Sequence, residues 1–395
     1  MIDIRKYTED DEVFAEAVRI RRAIHAHPEI GMECEKTTDL ICKELDAIGV
    51  PYRRCDKVGV IADIRGTKGN SDATVMLRAD MDALNLEEKT GLPFASEIPG
   101  RMHACGHDMH TAILLGTARI LMKIRDELEG NVRLLFQPAE EIGIGADYML
   151  PYGAMDNVQL GLGVHMDPLS PVGTLKSRIG PDWAAVDRFY VKIHGNGAHG
   201  ATPHKGSDAA IATAAVAMNL QTMVSRECDP MKPLVVTIGK MSAGTAFNII
   251  ASEGYMEGTC RSFDDDVWQM IPGAMERIAR HTAESFRCTA EVKVERPIKP
   301  LVNSEFAYNV LKKAAVKVLD DPALFGECKQ EMIGEDFAVY TEHAPCVFAH
   351  LGCDGGYPLH SNFVNFQEEA MRTGMAAEVQ FVLEGLQTLN DRNRK

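Results

Sequence analysis

The order of strand-like and helix-like segments constrains this chain more than any other feature. In the first half, apolar runs of strand length at 73–77, 132–136 and 160–164 alternate with a helix-patterned stretch at 111–128. Such alternation predicts an α/β domain with a mostly parallel sheet. From about 184 to 298 the order becomes strand (188–193), helix (208–224), strand (234–240), strand (254–261), helix (266–286), strand (289–295). This is the βαββαβ order of a ferredoxin-like unit. More βα material follows at 306–319 and 346–351, so the mid-chain unit reads as an insertion, with Pro181 and Pro297/Pro300 at its junctions. The expected domains are 1–183 plus 299–395, discontinuous, and 184–298 inserted between them.

Charge and composition exclude several classes of function. Fifty-seven acidic against forty-two basic residues give a net charge of −15, and no Lys/Arg block marks a phosphate-binding groove, so nucleic acid is not an expected partner. No apolar stretch approaches the ~20 residues of a membrane span, so no membrane partner is expected either. The N-terminal run MIDIRKYTEDDEVF is charged throughout and lacks the apolar region of a secretory signal. Ten cysteines scattered without a regular framework suit a reducing compartment. Together these predict a cytoplasmic protein.

Thirteen histidines carry little meaning singly, but clustering changes their weight. The segment Met102-His103-Ala104-Cys105-Gly106-His107-Asp108-Met109-His110 packs three imidazoles, a thiol and a carboxylate directly before the predicted helix. Cys and His are ligands for borderline cations such as Zn²⁺. From this segment alone a metal site, a buried cysteine beside surface histidines, and a nucleophilic Cys105 activated by a neighbouring His all remain open. A second segment, Phe136-Gln137-Pro138-Ala139-Glu140-Glu141, ends an apolar strand with adjacent carboxylates. Adjacent side chains diverge, so one can hold a metal while the other faces a substrate water as general base; a solvated acidic loop is the plainer alternative.

His165 and His360 close similar strand-like runs. With Cys105, His107 and Glu141 they supply the mixed N, S and O donors that two metal ions need once water fills the open positions. The run Arg78-Ala79-Asp80-Met81-Asp82 adds a carboxylate, Asp82, able to orient a ligand imidazole from behind.

Taken together, these stretches resemble the amidohydrolase branch of the M20 metallopeptidase family, which includes hippurate hydrolases, aminoacylases and auxin-conjugate hydrolases. The matching segments are His25-Ala26-His27-Pro28-Glu29, the 77–84 run, the 102–110 cluster and Gln137-Pro138-Ala139-Glu140-Glu141. Gly197-Ala198-His199-Gly200-Ala201-Thr202-Pro203-His204, Gly334-Glu335-Asp336-Phe337 and Pro358-Leu359-His360-Ser361 complete the set, which covers nearly the whole chain.

The resemblance implies a zinc-peptidase-like catalytic domain with a mixed sheet, interrupted by a ferredoxin-like lid and dimerisation domain. It implies a homodimer formed through that insert, with hinge motion near Trp183 and Pro297. It also implies that Cys105, His107, Glu141, His165 and His360 ligate two divalent ions (Zn, Mn, Co or Ni), with Glu140 as general base. His199 would stabilise the oxyanion in the partner subunit's site, and Asn248 and Arg261 would grip the substrate carboxylate. Read from the residues alone, His199 is an exposed turn residue and Arg261 an ordinary exposed strand-end Arg. Asp80 stands where peptidase relatives place a metal-binding His, which fits the amidohydrolase branch. The implied activity is hydrolysis of small N-acyl amino acids. A dipeptidase or carboxypeptidase of the same family, or a non-catalytic metal-holding or ligand-binding relative, is the alternative.

Overall fold

The computed structural model describes residues 4–394, and residues 1–3 of the charged N-terminal run lie outside it. The chain divides into two compact units, one of residues 1–182, 302–329 and 336–395, the other of 183–301 and 330–335. The short segment 330–335 joins the second unit because Ala184 N–H donates to the Ile333 carbonyl at 2.8 Å and Trp183 bridges Glu331.

The first unit is built on an eight-stranded sheet in the order Tyr52–Arg54, Val60–Arg65, Asn131–Gln137, Thr74–Asp80, Leu160–Asp167, Cys346–Gly352, Leu175–Ser177, Phe325–Glu327. Asn131–Gln137, Thr74–Asp80, Leu160–Asp167 and Cys346–Gly352 run parallel. Antiparallel pairings flank them on both sides, so the sheet as a whole is mixed. The expectation of a mostly parallel sheet therefore holds for its four central strands and for the edge pair Leu175–Ser177 with Phe325–Glu327. Every residue of Thr74–Asp80 and of Cys346–Gly352 is buried. Strands covered on both faces read as continuous apolar runs, which is why these were visible in the sequence.

The helix after the Cys/His cluster spans His107–Lys123, so it begins four residues before the expected start, and His107 and His110 lie in its first turn. The polar residues there are buried, which masks the amphipathic period that would have marked the true start. Gly106 precedes it at φ 90°, and a Cβ at that position would lie 2.7 Å from Met166 Cγ. Glycine is required there on both counts.

The second unit is a four-stranded antiparallel sheet, in the order Leu234–Ala243, Glu253–Ser262, Ala185–His194, Thr289–Ile298. Helices Ala209–Leu220 and Asp265–Ser285 complete the ferredoxin-like arrangement, each capped by an aspartate (Asp208, Asp264) accepting from the first-turn N–H groups. The unit has its own apolar core around Phe189, Val191, Met256, Ile271 and Met275. Among the described residues, no helix is long and apolar enough to cross a membrane.

In the first unit Glu378 lies wholly buried in helix Ala370–Asn393, and burial, only partly opposed by Thr117, pushes its carboxyl up to about 8. A carboxyl whose folded pKa exceeds its unfolded value stabilises the native state fully below the unfolded pKa of about 4.5 and loses that contribution up to about 8. Glu378→Gln, which cannot ionise, is therefore expected to flatten the decline of melting temperature between pH 5 and pH 8. Thermal unfolding of both proteins across that range is the check, and parallel curves would refute the expectation.

Candidate metal centre

The sheet of the first unit gathers its polar residues at strand ends, where α/β proteins place chemistry. Asp80 ends Thr74–Asp80 and Asp82 follows it; Glu140 and Glu141 follow Asn131–Gln137; His165 lies near the end of Leu160–Asp167. Cys105 Sγ lies 3.4 Å from His165 Nε2. Donor atoms of Cys105, His107 and His165 lie within 4.8 Å of one another, as do those of Cys105, Glu141 and His360, and those of His107, Glu140 and Glu141. His360 Nε2 is 3.6 Å from Glu141 Oε2, and His107 Nε2 is 3.9 Å from both Glu140 Oε2 and Glu141 Oε1. Cys105, His107, Glu140, Glu141, His165 and His360, all of the first unit, thus form a single cluster.

The cluster has the chemistry of a cation site. His107 is completely buried, and neither ring nitrogen has a hydrogen-bond partner among the described residues; Glu141 Oε1 is likewise unpartnered. Buried polar atoms without partners are costly unless a ligand completes them. Burial alone would lower the His107 pKa, but the carboxylates of Asp80, Asp82 and Glu141 lift it to about 10. Glu141 is pushed up to about 7 by burial, against the pull of His107 and with Asp82 and Asp80 adding to the rise. Carboxylates crowded around N and S donors suit a divalent cation, which takes the place of the His107 proton. The residues present therefore fit the metal ions that the sequence implies.

Asp82 positions the cluster. Its Oδ1 accepts the Glu140 N–H at 3.0 Å and its Oδ2 the Glu141 N–H at 3.2 Å, while Oδ1 also lies 3.5 Å from His107 Nδ1. Ala139, just before this pair, and His360 both adopt left-handed φ, 59° and 61°. Such non-glycine conformations cost about 1–3 kcal/mol and persist where surrounding contacts enforce them.

Several partners of the site were not identified from the sequence. His110 Nδ1 lies 2.5 Å from Asp80 Oδ1, and His110 Nε2 accepts the Met166 N–H at 2.9 Å, so both its nitrogens are used. Met166 also offers its carbonyl to His165 Nδ1 at 2.9 Å, which directs the lone pair of Nε2 toward Cys105. Arg78, fully buried, joins Asp80 at 2.5 Å to Asp336 at 2.9 Å, and Gln137 donates to Asp336 at 2.7 Å. Their signal in the sequence was present in the Arg78–Asp82 run and in Gly334-Glu335-Asp336, but nothing local announced the pairing. Arg21 and His25 both bond Asp108 Oδ2, at 3.0 and 2.9 Å. His103 is buried with neither nitrogen partnered among the described residues, and burial lowers it to about 3, which keeps it neutral.

His199, Asn248 and Arg261 belong to the second unit. His199 is exposed, and its Nδ1 accepts the Ala201 N–H at 3.1 Å. Asn248 is exposed and its carbonyl accepts the Gly200 N–H at 2.8 Å, next to the pairing of Ile249 with His199. Arg261, half-buried on Glu253–Ser262, donates to the Cys260 carbonyl at 3.0 Å and to Thr259 Oγ1.

The profile of peptidase family M20/M25/M40 matches residues 76–384. The chain is 41% identical over 358 residues to the N-acetyl-L-cysteine deacetylase of Bacillus subtilis, covering 90% of this chain and 84% of that protein. It is 41% identical over 295 residues to the N-acyl-L-amino acid amidohydrolase of Geobacillus stearothermophilus, covering 74% and 79%. Its fold superposes with a TM-score of 0.85 on a dinuclear metal binding peptidase of the M20 family from Bacillus subtilis, 34% identical, covering 96% of this chain and all of that one.

Asp82→Asn keeps the size of the side chain but removes the charge facing His107 and weakens its hold on the Glu140–Glu141 backbone. Loss of a group that orients a metal ligand typically costs 10–100-fold in metal affinity. Titration of chelator-stripped protein with Zn²⁺ is expected to show a loss of that order. Unchanged affinity would show that Asp82 does not position the donors.

Proposed function

Because the chain belongs to peptidase family M20/M25/M40, we propose that it is a metal-dependent amidohydrolase cleaving the amide bond of small N-acyl amino acids to a carboxylate and a free amino acid. One observation carries the reading: Glu140 stands beside a cluster of buried Cys105, His107 and His165 with half-buried Glu141 and exposed His360, and the donor atoms of His107 and Oε1 of Glu141 are without hydrogen-bond partners among the described residues. Those five residues would hold two divalent ions of the Zn, Mn, Co or Ni class, which when bound supply Lewis acidity and lower the pKa of water toward ~7.

Glu140 is the general base in this scheme. Its backbone N–H is held by Asp82, and its carboxylate lies 3.9 Å from His107 Nε2, as does that of Glu141. It takes the proton of the attacking water and returns it to the leaving amine nitrogen. The exposed His199 would hold the developing oxyanion in the site of a second copy, while Asn248 and Arg261 would receive the substrate carboxylate, to which a guanidinium offers a forked pair of donors. Exposed Ile211 and Met218 on Ala209–Leu220, with Met241 on the edge strand, support a homodimer through the second unit. All ten cysteines are buried thiols outside any disulfide, which supports placement in the reducing cytoplasm.

The test is amine release from N-acetyl, N-benzoyl and longer N-acyl amino acids, by chelated and by Zn- or Mn-loaded protein, beside Glu140→Gln. Turnover is expected to need metal and to fall by about 10²–10⁴-fold in Glu140→Gln, with metal content unchanged. Cleavage of dipeptides instead would move the protein to the peptidase reading, and silence on both would favour a ligand-binding role.

A further inference from the structure

A second cluster of metal-type donors lies in the first unit, built from residues outside the centre described above. Asp182 follows the short strand Gly180–Pro181, Cys328 follows Phe325–Glu327, and His350 lies on Cys346–Gly352. All three are buried, Asp182 completely. Their donor atoms lie within 4.8 Å of one another. Cys328 Sγ is 3.3 Å from Asp182 Oδ1, and His350 Nε2 is 3.0 Å from Asp182 Oδ2. Asn303 holds the carboxylate from behind, donating from Nδ2 to Asp182 Oδ2 at 3.1 Å while its Oδ1 accepts the Phe348 N–H at 2.7 Å.

We propose that Asp182, Cys328 and His350 form a further metal site, for a borderline divalent cation of the Zn²⁺ or Co²⁺ type.

The spacing fits such an ion. Tetrahedral bonds of about 2.0–2.3 Å to O, N and S put donors roughly 3.3–3.6 Å apart, and the two separations given above, 3.3 and 3.0 Å, need only small adjustment. The donor set is one thiolate, one carboxylate and one imidazole, which neutralises a divalent charge. Three protein donors leave one position for water. Arg178, whose Nη1 donates to the Cys328 carbonyl at 3.4 Å, is the nearby cation that competes, and it reaches the backbone and not the donor atoms. Without a metal, burial and the charge of Asp182 push the Cys328 thiol up, so it remains protonated and donates to Asp182. Ligation breaks the S–H bond, forms the S–metal bond and releases the proton to solvent.

The position suggests what such an ion would do. Asp182 is the last residue before the chain leaves the first unit, Asn303 lies just after its return, and Cys328 just before the next departure. A cation there would cross-link chain segments far apart in sequence, at points where the chain passes between units, and so restrict the unfolded chain much as a disulfide does.

The test uses Co²⁺ alone as probe. Wild-type chain, Cys328→Ser and His350→Asn are stripped with chelator and reloaded, then the cobalt per chain and the thiolate-to-cobalt absorption are measured. The wild type is expected to hold one more Co²⁺ per chain than either variant, with part of the thiolate absorption lost in Cys328→Ser and amide hydrolysis retained. Cys105→Ser, which alters the centre described earlier, should leave the Cys328-dependent fraction in place, so the two readings fail separately. Equal cobalt content in the wild type and in a folded His350→Asn would overturn the proposal and leave Asp182 as a buried acceptor of hydrogen bonds.

Discussion

The Asp82 carboxylate is the constraint on which the rest of the candidate centre depends. By accepting consecutive N–H groups from Glu140 and Glu141 it fixes the turn at Ala139 and holds two neighbouring carboxylates against His107. Hydrogen bonds to a charged group contribute about 1.5–3 kcal/mol each. A pair of them is enough to offset the left-handed residue beside them. Without that anchor Glu140 and Glu141 would be interchangeable acids on a loop. With it, both are held at the donor cluster, as the proposed roles of ligand and base require.

Beneath this anchor a network of buried charges ties the strand ends together. Arg78 joins Asp80 to Asp336; Asp80 meets His110; His110 takes the N–H of Met166, on the next strand. Its members come from the strand Thr74–Asp80, the helix His107–Lys123, the strand Leu160–Asp167 and the segment around Asp336, so the network registers the C-terminal ends of strands whose side chains must converge within a few ångströms. Removing one partner from such a buried pair typically costs 3–5 kcal/mol, because an uncompensated charge is left behind. The network therefore serves the geometry of the site as much as the stability of the sheet.

What was legible in the sequence follows from the same physics. The apolar strands 74–80, 131–137 and 160–167 stood out because they are buried on both faces, and the βαββαβ order of the second unit stood out because each element is long and regular. Cys105, His107, Glu140, Glu141, His165 and His360 were visible as polar groups placed where apolar runs end. The first turn of helix His107–Lys123 was hidden, because histidines buried for a site look polar to any test of periodicity. His110 could not be told from a ligand, since its role is set by Asp80 and a backbone N–H from another strand. Asp182, Cys328 and His350 had no local pattern at all; folding alone brings them together.

The backbone of Met166 also bears on the role of Cys105, which the sequence left open. Its carbonyl can only accept, so the proton of His165 sits on Nδ1 and the Nε2 lone pair faces the Cys105 sulfur. A nucleophilic cysteine needs the opposite arrangement, a protonated imidazolium beside a thiolate. Burial, with the neighbouring His110, holds His165 far below the usual imidazole range and resists that protonation. A neutral imidazole 3.4 Å from a thiol is the donor pair that the proposed cation requires. In the proposed reaction proton transfer then falls to Glu140, whose carboxylate lies 3.9 Å from His107 Nε2.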